Sequence, residues 1–214
     1  MIDTLAPLHP SGLVAILRGM NPAEAQAVGE SLYASGFRAL EVPLNSPQPL
    51  RSIEILRSTL PADAVVGAGT VLSVEQVRSC HAAGSQIIVS PSTNINVIKE
   101  TVALGMDSFP GAATPSNAFD AIEAGAKNVK IFPAEQVGLA GFKAWTSVIP
   151  QNIRLLPVGG ISEENMFEWA EAGATGFGIG SSLYKAGRSL DDLKKRADKL
   201  VDAYRTIHEM RKSA

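Results

Sequence analysis

Little in this sequence suits a disulfide, a metal site, a membrane or a nucleic acid. Its single cysteine, Cys80, has no second cysteine to pair with, so no intramolecular disulfide can form, and a free thiol of this kind suits a reducing compartment. The three histidines, His9, His81 and His208, share no ligand spacing with Cys80 or with one another, so no metal and no other cofactor is expected. Nineteen basic residues against 21 acidic ones leave a net charge of -2, with no block of one sign, which gives no general attraction for nucleic acid or an anionic membrane. No apolar stretch approaches the roughly 20 residues of a membrane span. The first residues, with Asp3 and Pro7, lack the basic-then-apolar pattern of a signal peptide. What remains is a soluble, cytoplasmic protein whose partner is a small molecule.

Nucleotide fingerprints are missing too. Gly67-Ala68-Gly69-Thr70-Val71-Leu72 lacks the third glycine of G-x-G-x-x-G and follows the third predicted strand, and no P-loop occurs. That argues against a dinucleotide-binding open sheet, the alternative α/β architecture.

What is present is alternation. Short apolar runs at 13–17, 39–43, 65–68, 86–89, 107–109, 128–132, 153–158 and 176–179 are separated by amphipathic stretches, the pattern of parallel strands joined by covering helices. Eight strands are what a closed (β/α)8 barrel requires. With 45% hydrophobic residues, residues 1–214 suit one domain, with an N-terminal extension and a C-terminal helix. Asn21-Pro22-Ala23-Glu24, Ser73-Val74-Glu75-Gln76 and Ser162-Glu163-Glu164 carry the cap chemistry that opens a helix; Gly36, Gly84, Gly125 and Gly173 supply the left-handed residue that closes one. The segment from Asp191 to Met210 reads as a solvated terminal helix.

Two charged residues interrupt the apolar strands, Glu41 and Lys130. Strand side chains alternate between faces. If Leu40, Val42, Val129 and Ile131 face the helices, then Glu41 and Lys130 point into the barrel, toward the end where such folds assemble their active sites. A buried lysine loses part of its proton affinity and becomes a nucleophile toward a carbonyl, and a buried carboxylate beside it can shuttle protons. A structural ion pair that merely fills the barrel is the competing reading.

The loops after the seventh and eighth strands, Val158-Gly159-Gly160-Ile161-Ser162 and Gly178-Ile179-Gly180-Ser181-Ser182, put small residues where backbone amides can approach an anion. Gly159, Gly160, Gly180 and Ser181 are therefore candidate phosphate ligands. Arg18 ends the first strand, where it either meets a substrate carboxylate or hydroxyl or pairs with Glu41. Phe132, on the strand face of Lys130, either covers the reacting centre or is a core aromatic. Thr70 and Pro91 end the third and fourth strands, and with Asn45 and Val158 they complete the expected substrate contacts.

Leu40-Glu41-Val42, the Gly67 to Leu72 segment, Lys130-Ile131-Phe132-Pro133 and Gly159-Gly160-Ile161-Ser162 together resemble the bacterial aldolases that cleave 2-keto-3-deoxy-6-phospho sugar acids, in order from about Leu13 to Gly187. The resemblance implies a (β/α)8 barrel, a Schiff base on Lys130, acid–base chemistry by Glu41, and a homotrimer. Ile16-Leu17-Arg18-Gly19, Pro43-Leu44-Asn45-Ser46-Pro47 and Val158 look like the branch acting on the phosphogalactonate epimer, since the phosphogluconate branch typically has threonine at the last position. Phe109-Pro110-Gly111-Ala112-Ala113-Thr114 matches neither branch. Two other readings stay open on residues alone: a metal-free isomerase or epimerase of a phosphorylated sugar, and a sugar-acid phosphate binding protein without turnover.

Overall fold

The computed structural model describes residues 12–213, which form the alternating strands and helices of an α/β fold. The expected N-terminal extension, with Asp3, Pro7 and His9, lies outside the described residues. Strands β1 (Leu13–Ile16), β2 (Ala39–Pro43), β3 (Val65–Gly69), β4 (Ile87–Val89) and β5 (Asp107–Phe109) pair in parallel, and β9 (Phe177–Ile179) joins the free side of β1. This makes a curled six-stranded sheet in the order β5-β4-β3-β2-β1-β9. A second sheet of three strands runs β6 (Gly111–Ala112), β7 (Asn128–Ile131), β8 (Arg154–Pro157).

All eight expected strands occur, but the fifth is split. Pro110 separates β5 from β6; it has no N–H to give to a ladder. On one side of it, the Phe109 carbonyl accepts from the Ser90 N–H at 3.1 Å; on the other, the Pro110 carbonyl accepts from the Lys130 N–H at 2.9 Å. The chain thus hands over from β4 to β7 within two residues. The unmatched Phe109 to Thr114 segment is this handover followed by a helix cap, since the Thr114 Oγ1 accepts from the Asn117 N–H ahead of α5 (Pro115–Glu123). Between the sheets' other edges, Val158 bridges Gly178 in parallel, and the Thr175 N–H reaches the Leu155 carbonyl at 3.0 Å.

Helix α1 (Pro22–Ser35) starts where its cap chemistry predicts, with the Asn21 N–H donating to the Glu24 carboxylate at 2.9 Å. Helix α3 (Val74–Ala82) does the same through the Ser73 hydroxyl, which accepts from the Gln76 N–H. Gly36, Gly84, Gly125 and Gly173 all have φ between 89° and 116° at the ends of helices, as expected. Ser162 is a correction. It opens a turn, and α7 (Met166–Glu171) begins four residues later, after Asn165. The remaining helices are α2 (Pro49–Thr59), α4 (Ile95–Ala103), α6 (Ala134–Thr146) and α8 (Leu190–Ser213). No helix of the described residues is long and apolar enough to cross a membrane.

Side-chain alternation divides the apolar residues into two layers. Leu40, Val42, Ile88, Val129 and Ile131 pack outward with the helices in the large core. Val14, Ala39, Ile87, Val89, Phe109 and Leu156 form a separate inner cluster. Glu41 has the parity of Ala39, and Lys130 lies between two outward neighbours, so both belong to the inner face. Helix α8 also departs from expectation: Leu193, Ala197, Leu200, Val201 and Ile207 are buried, with Val201 packed over Gly36. It is a covering element, and only its outer side is solvated.

Candidate active site

Register explains how the two charged residues are held. Glu41 lies beside Ile16 on β1 and Gly67 on β3, and Lys130 beside Gly111 on β6 and Leu156 on β8. The glycines are spaces for what surrounds them. A Cβ on Gly69 would sit 1.9 Å from the Glu41 carboxylate, and one on Gly67 would sit 2.0 Å from the Ile87 carbonyl. The Gly67-Ala68-Gly69 run therefore lets a carboxylate fit inside a narrow sheet. Sequence reasoning quoted this motif without finding that role; the signal was two glycines at inward spacing next to a strand bearing a buried acid.

Burial controls the chemistry of the pair. Glu41 is 2% exposed and Lys130 7% exposed. Loss of hydration pushes the Glu41 carboxyl up to about 7, against the opposing pull of the Lys130 and Arg18 charges. The same loss lowers the Lys130 ammonium below its ordinary range; Glu41 resists the shift and Arg18 adds to it. The Oε2 atom of Glu41 has no hydrogen-bond partner among the described residues, which a satisfied structural pair would not leave. Lys130 Nζ stands 4.4 Å from the centre of the Phe132 ring.

Lys130 opens into a cavity of about 490 Å³. Of the candidates named from sequence, Arg18, Phe132, Val158, Gly159, Gly160, Gly180 and Ser181 line it with Lys130. Glu41 is buried behind this lining. Arg18 donates from Nη1 to Asn45 Oδ1 at 2.6 Å, so its direct partner is Asn45, and it acts on Glu41 through charge alone. Asn45 is exposed; Ser46 next to it accepts from the Gly19 N–H at 2.9 Å and ties the first two loops together. Thr70 is half-buried at φ 56°, a left-handed backbone that a β-branched residue rarely adopts. Thr70, Pro91 and Asn45 are not in the cavity lining.

Three basic residues in the lining were not singled out from sequence: Lys185, Arg188 and Arg196. Their signal was legible in part, since Arg188, Asp192 and Arg196 repeat at the four-residue spacing of one helix face. The lining contains no Asp or Glu. A lysine of lowered proton affinity, a neighbouring carboxyl poised near neutrality, and a cationic cavity walled by glycines suit an enzyme that makes and breaks bonds beside the carbonyl of an anionic compound.

Comparison with known proteins agrees. The model of the family described as KDPG and KHG aldolase matches residues 6–197. The chain is 43% identical over 204 residues to a probable 2-dehydro-3-deoxy-6-phosphogalactonate aldolase of Rhizobium meliloti, covering 94% of this chain and 96% of the relative. It is 44% identical over 193 residues to the 2-dehydro-3-deoxy-6-phosphogalactonate aldolase of Escherichia coli, covering 90% and 94%. A solved structure described as native KDPGal superposes with a TM-score of 0.90 at 43% identity, covering 92% of this chain and 96% of the other. The KDPG aldolase of Legionella pneumophila, solved with pyruvate as a covalent carbinolamine, superposes with a TM-score of 0.79 at 25% identity, covering 96% and 98%. The protein is thus an aldehyde-lyase of the class I type, which works through a lysine imine. The chain belongs to the KDPG and KHG aldolase family.

Proposed function

We propose that this aldolase cleaves 2-dehydro-3-deoxy-6-phosphogalactonate to pyruvate and D-glyceraldehyde 3-phosphate, with Lys130 as the imine-forming residue and Glu41 as the acid and base. The observation that carries the reading is the position of Lys130: buried, partly stripped of its proton affinity, and open to a glycine-walled cationic cavity beside Glu41. Free amine on Lys130 attacks the C2 ketone, and loss of water gives a protonated imine. The imine draws electrons from C3–C4 as Glu41, directly or through a water, removes the C4 hydroxyl proton. The bond breaks, the aldehyde leaves, and the enamine left on Lys130 is protonated at C3 and hydrolysed to pyruvate. Phe132 covers the imine. Gly159, Gly160, Gly180 and Ser181 receive the phosphate, and Arg18, steadied by Asn45, faces the sugar-acid end. Thr70 and Pro91 shape the pocket from behind its lining.

The finer architecture follows the same reading. The two sheets act as one closed (β/α)8 barrel, supported by the Pro110–Lys130 hydrogen bond on one side and the Val158–Gly178 bridge on the other. The homotrimer the resemblance implies and a cytoplasmic location complete it.

Borohydride added with pyruvate should leave a stable adduct on Lys130 and abolish turnover; an adduct on another lysine overturns the assignment. A coupled assay for pyruvate on both epimeric acid phosphates reads the substrate.

A further inference from the structure

The cationic lining divides into two kinds of residue. Arg188 and Arg196 both engage Asp192, at 3.1 and 3.0 Å. Both also donate to the Ser182 carbonyl at 3.3 Å, and Arg188 reaches the Leu183 carbonyl as well. They share one carboxylate, Asp192, and their donors hold the loop that follows β9, the loop that carries Gly180 and Ser181. These three residues fasten α8 to that loop. Lys185 differs. It lines the same cavity, is exposed, and its side chain makes no hydrogen bond or ion pair among the described residues. It stands four residues past Ser181, just beyond the stretch that the two arginines fix.

We propose that Lys185 is the side chain that meets the terminal phosphate of the substrate, adding a mobile full charge to the fixed amide donors of the glycine loops. The proposal rests on the phosphorylated sugar-acid reading above and deepens it. Backbone amides at Gly159, Gly160 and Gly180 offer only partial positive charge, and a phosphate monoester near pH 7 carries close to two negative charges. Arg18 stands under the sugar-acid end, Lys130 is committed to the carbonyl, and Arg188 and Arg196 are held in place by Asp192 and by backbone carbonyls. Lys185 is the exposed cation of the lining whose side chain has no hydrogen-bond or ion-pair partner among the described residues, and the lining carries an excess of positive charge in a protein of net charge -2.

The test compares wild type with Lys185→Gln, Lys185→Arg and Lys185→Glu. It measures kcat and KM for 2-dehydro-3-deoxy-6-phosphogalactonate, competitive inhibition by inorganic phosphate, and borohydride trapping of pyruvate. Lys185→Gln should raise KM and weaken phosphate inhibition by roughly tenfold each while pyruvate trapping stays unchanged. Lys185→Arg should recover most of the loss, and Lys185→Glu should exceed it. Added salt should weaken the wild type more than Lys185→Gln. Unchanged KM and phosphate inhibition in Lys185→Gln would overturn the proposal and leave the aldolase reading standing. So would an equal loss of pyruvate trapping, because the effect would then not be on the phosphate. A wild type that phosphate does not inhibit, and that prefers an unphosphorylated acid, would remove the phosphate site itself and the role of Lys185 with it.

Discussion

At its buried end the cavity presents Lys130, with Glu41 behind the lining, both nearly inaccessible and both shifted in proton affinity by loss of hydration; at its rim it presents Gly160 and Ser181, exposed, with backbone groups whose charge does not depend on pH. On the proposed mechanism the buried end gains reactivity from a costly environment. On the same proposal the rim gains affinity for phosphate from fixed geometry at little cost. Substitutions at the two ends should therefore fail differently, the buried end through kcat and pH dependence and the rim through KM.

The largest expected effect is at Glu41. Glu41→Gln should lower kcat by on the order of 10²–10⁴-fold while pyruvate still forms its adduct. In the wild type, removal of the hydroxyl proton needs the ionised carboxylate, so kcat/KM should rise with pH through about 7, and the variant should lose that limb. Stability should move the other way. A carboxyl whose folded pKa stands near 7 against an ordinary 4.5 is most favourable to the fold below pH 4.5, and that contribution is withdrawn as the pH rises through 7, by roughly 3 kcal/mol. Thermal unfolding at pH 8 should show Glu41→Gln to be the more stable protein. Near-normal turnover, or a pH profile unchanged from wild type, would assign Glu41 a purely structural role.

The rim can be probed at one glycine better than at another. Gly160 has φ 64°, and a Cβ there would sit 2.4 Å from the Glu135 carboxylate, so any side chain would disturb the loop itself. Gly180 has an ordinary φ, and a Cβ there would meet nothing within 4 Å. Gly180→Asp therefore puts a negative charge at the expected phosphate with little strain. It should raise KM for the phosphorylated substrate roughly 10- to 100-fold and leave pyruvate trapping unchanged. Equal losses for the two ligands would count against a phosphate site.

The smallest effect belongs to the boundary between the two ends. Val158 is buried, lines the cavity, and packs its Cγ2 against the site where Gly178 lacks a Cβ. The two epimers differ in the C4 hydroxyl, and threonine offers a hydrogen bond that the similarly shaped valine lacks. Val158→Thr should raise relative kcat/KM for the phosphogluconate epimer by a few-fold to about tenfold. An unchanged ratio measured on both substrates would show that the hydroxyl is read elsewhere, with Arg18, Asn45 and Thr70 the next residues to examine.

By itself the sequence determined the order of strands and helices and the inward placement of Glu41 and Lys130, because a two-residue alternation and helix-end chemistry are local properties. It also marked Gly159, Gly160, Gly180 and Ser181, which the fold brings together in the cavity lining. Distance along the chain hid the rest. That Arg18 grips Asn45 depends on how two loops 27 residues apart meet, and that Gly69 makes room for Glu41 depends on β2–β3 register. Asp192 draws Arg188 and Arg196 onto the loop after β9 only because α8 packs back over the sheet, burying a face that its charge pattern made look solvated. Burial of the Lys130–Glu41 pair is likewise collective: no residue desolvates itself, and the shift in their proton affinities comes from every neighbour that the fold brings to exclude water.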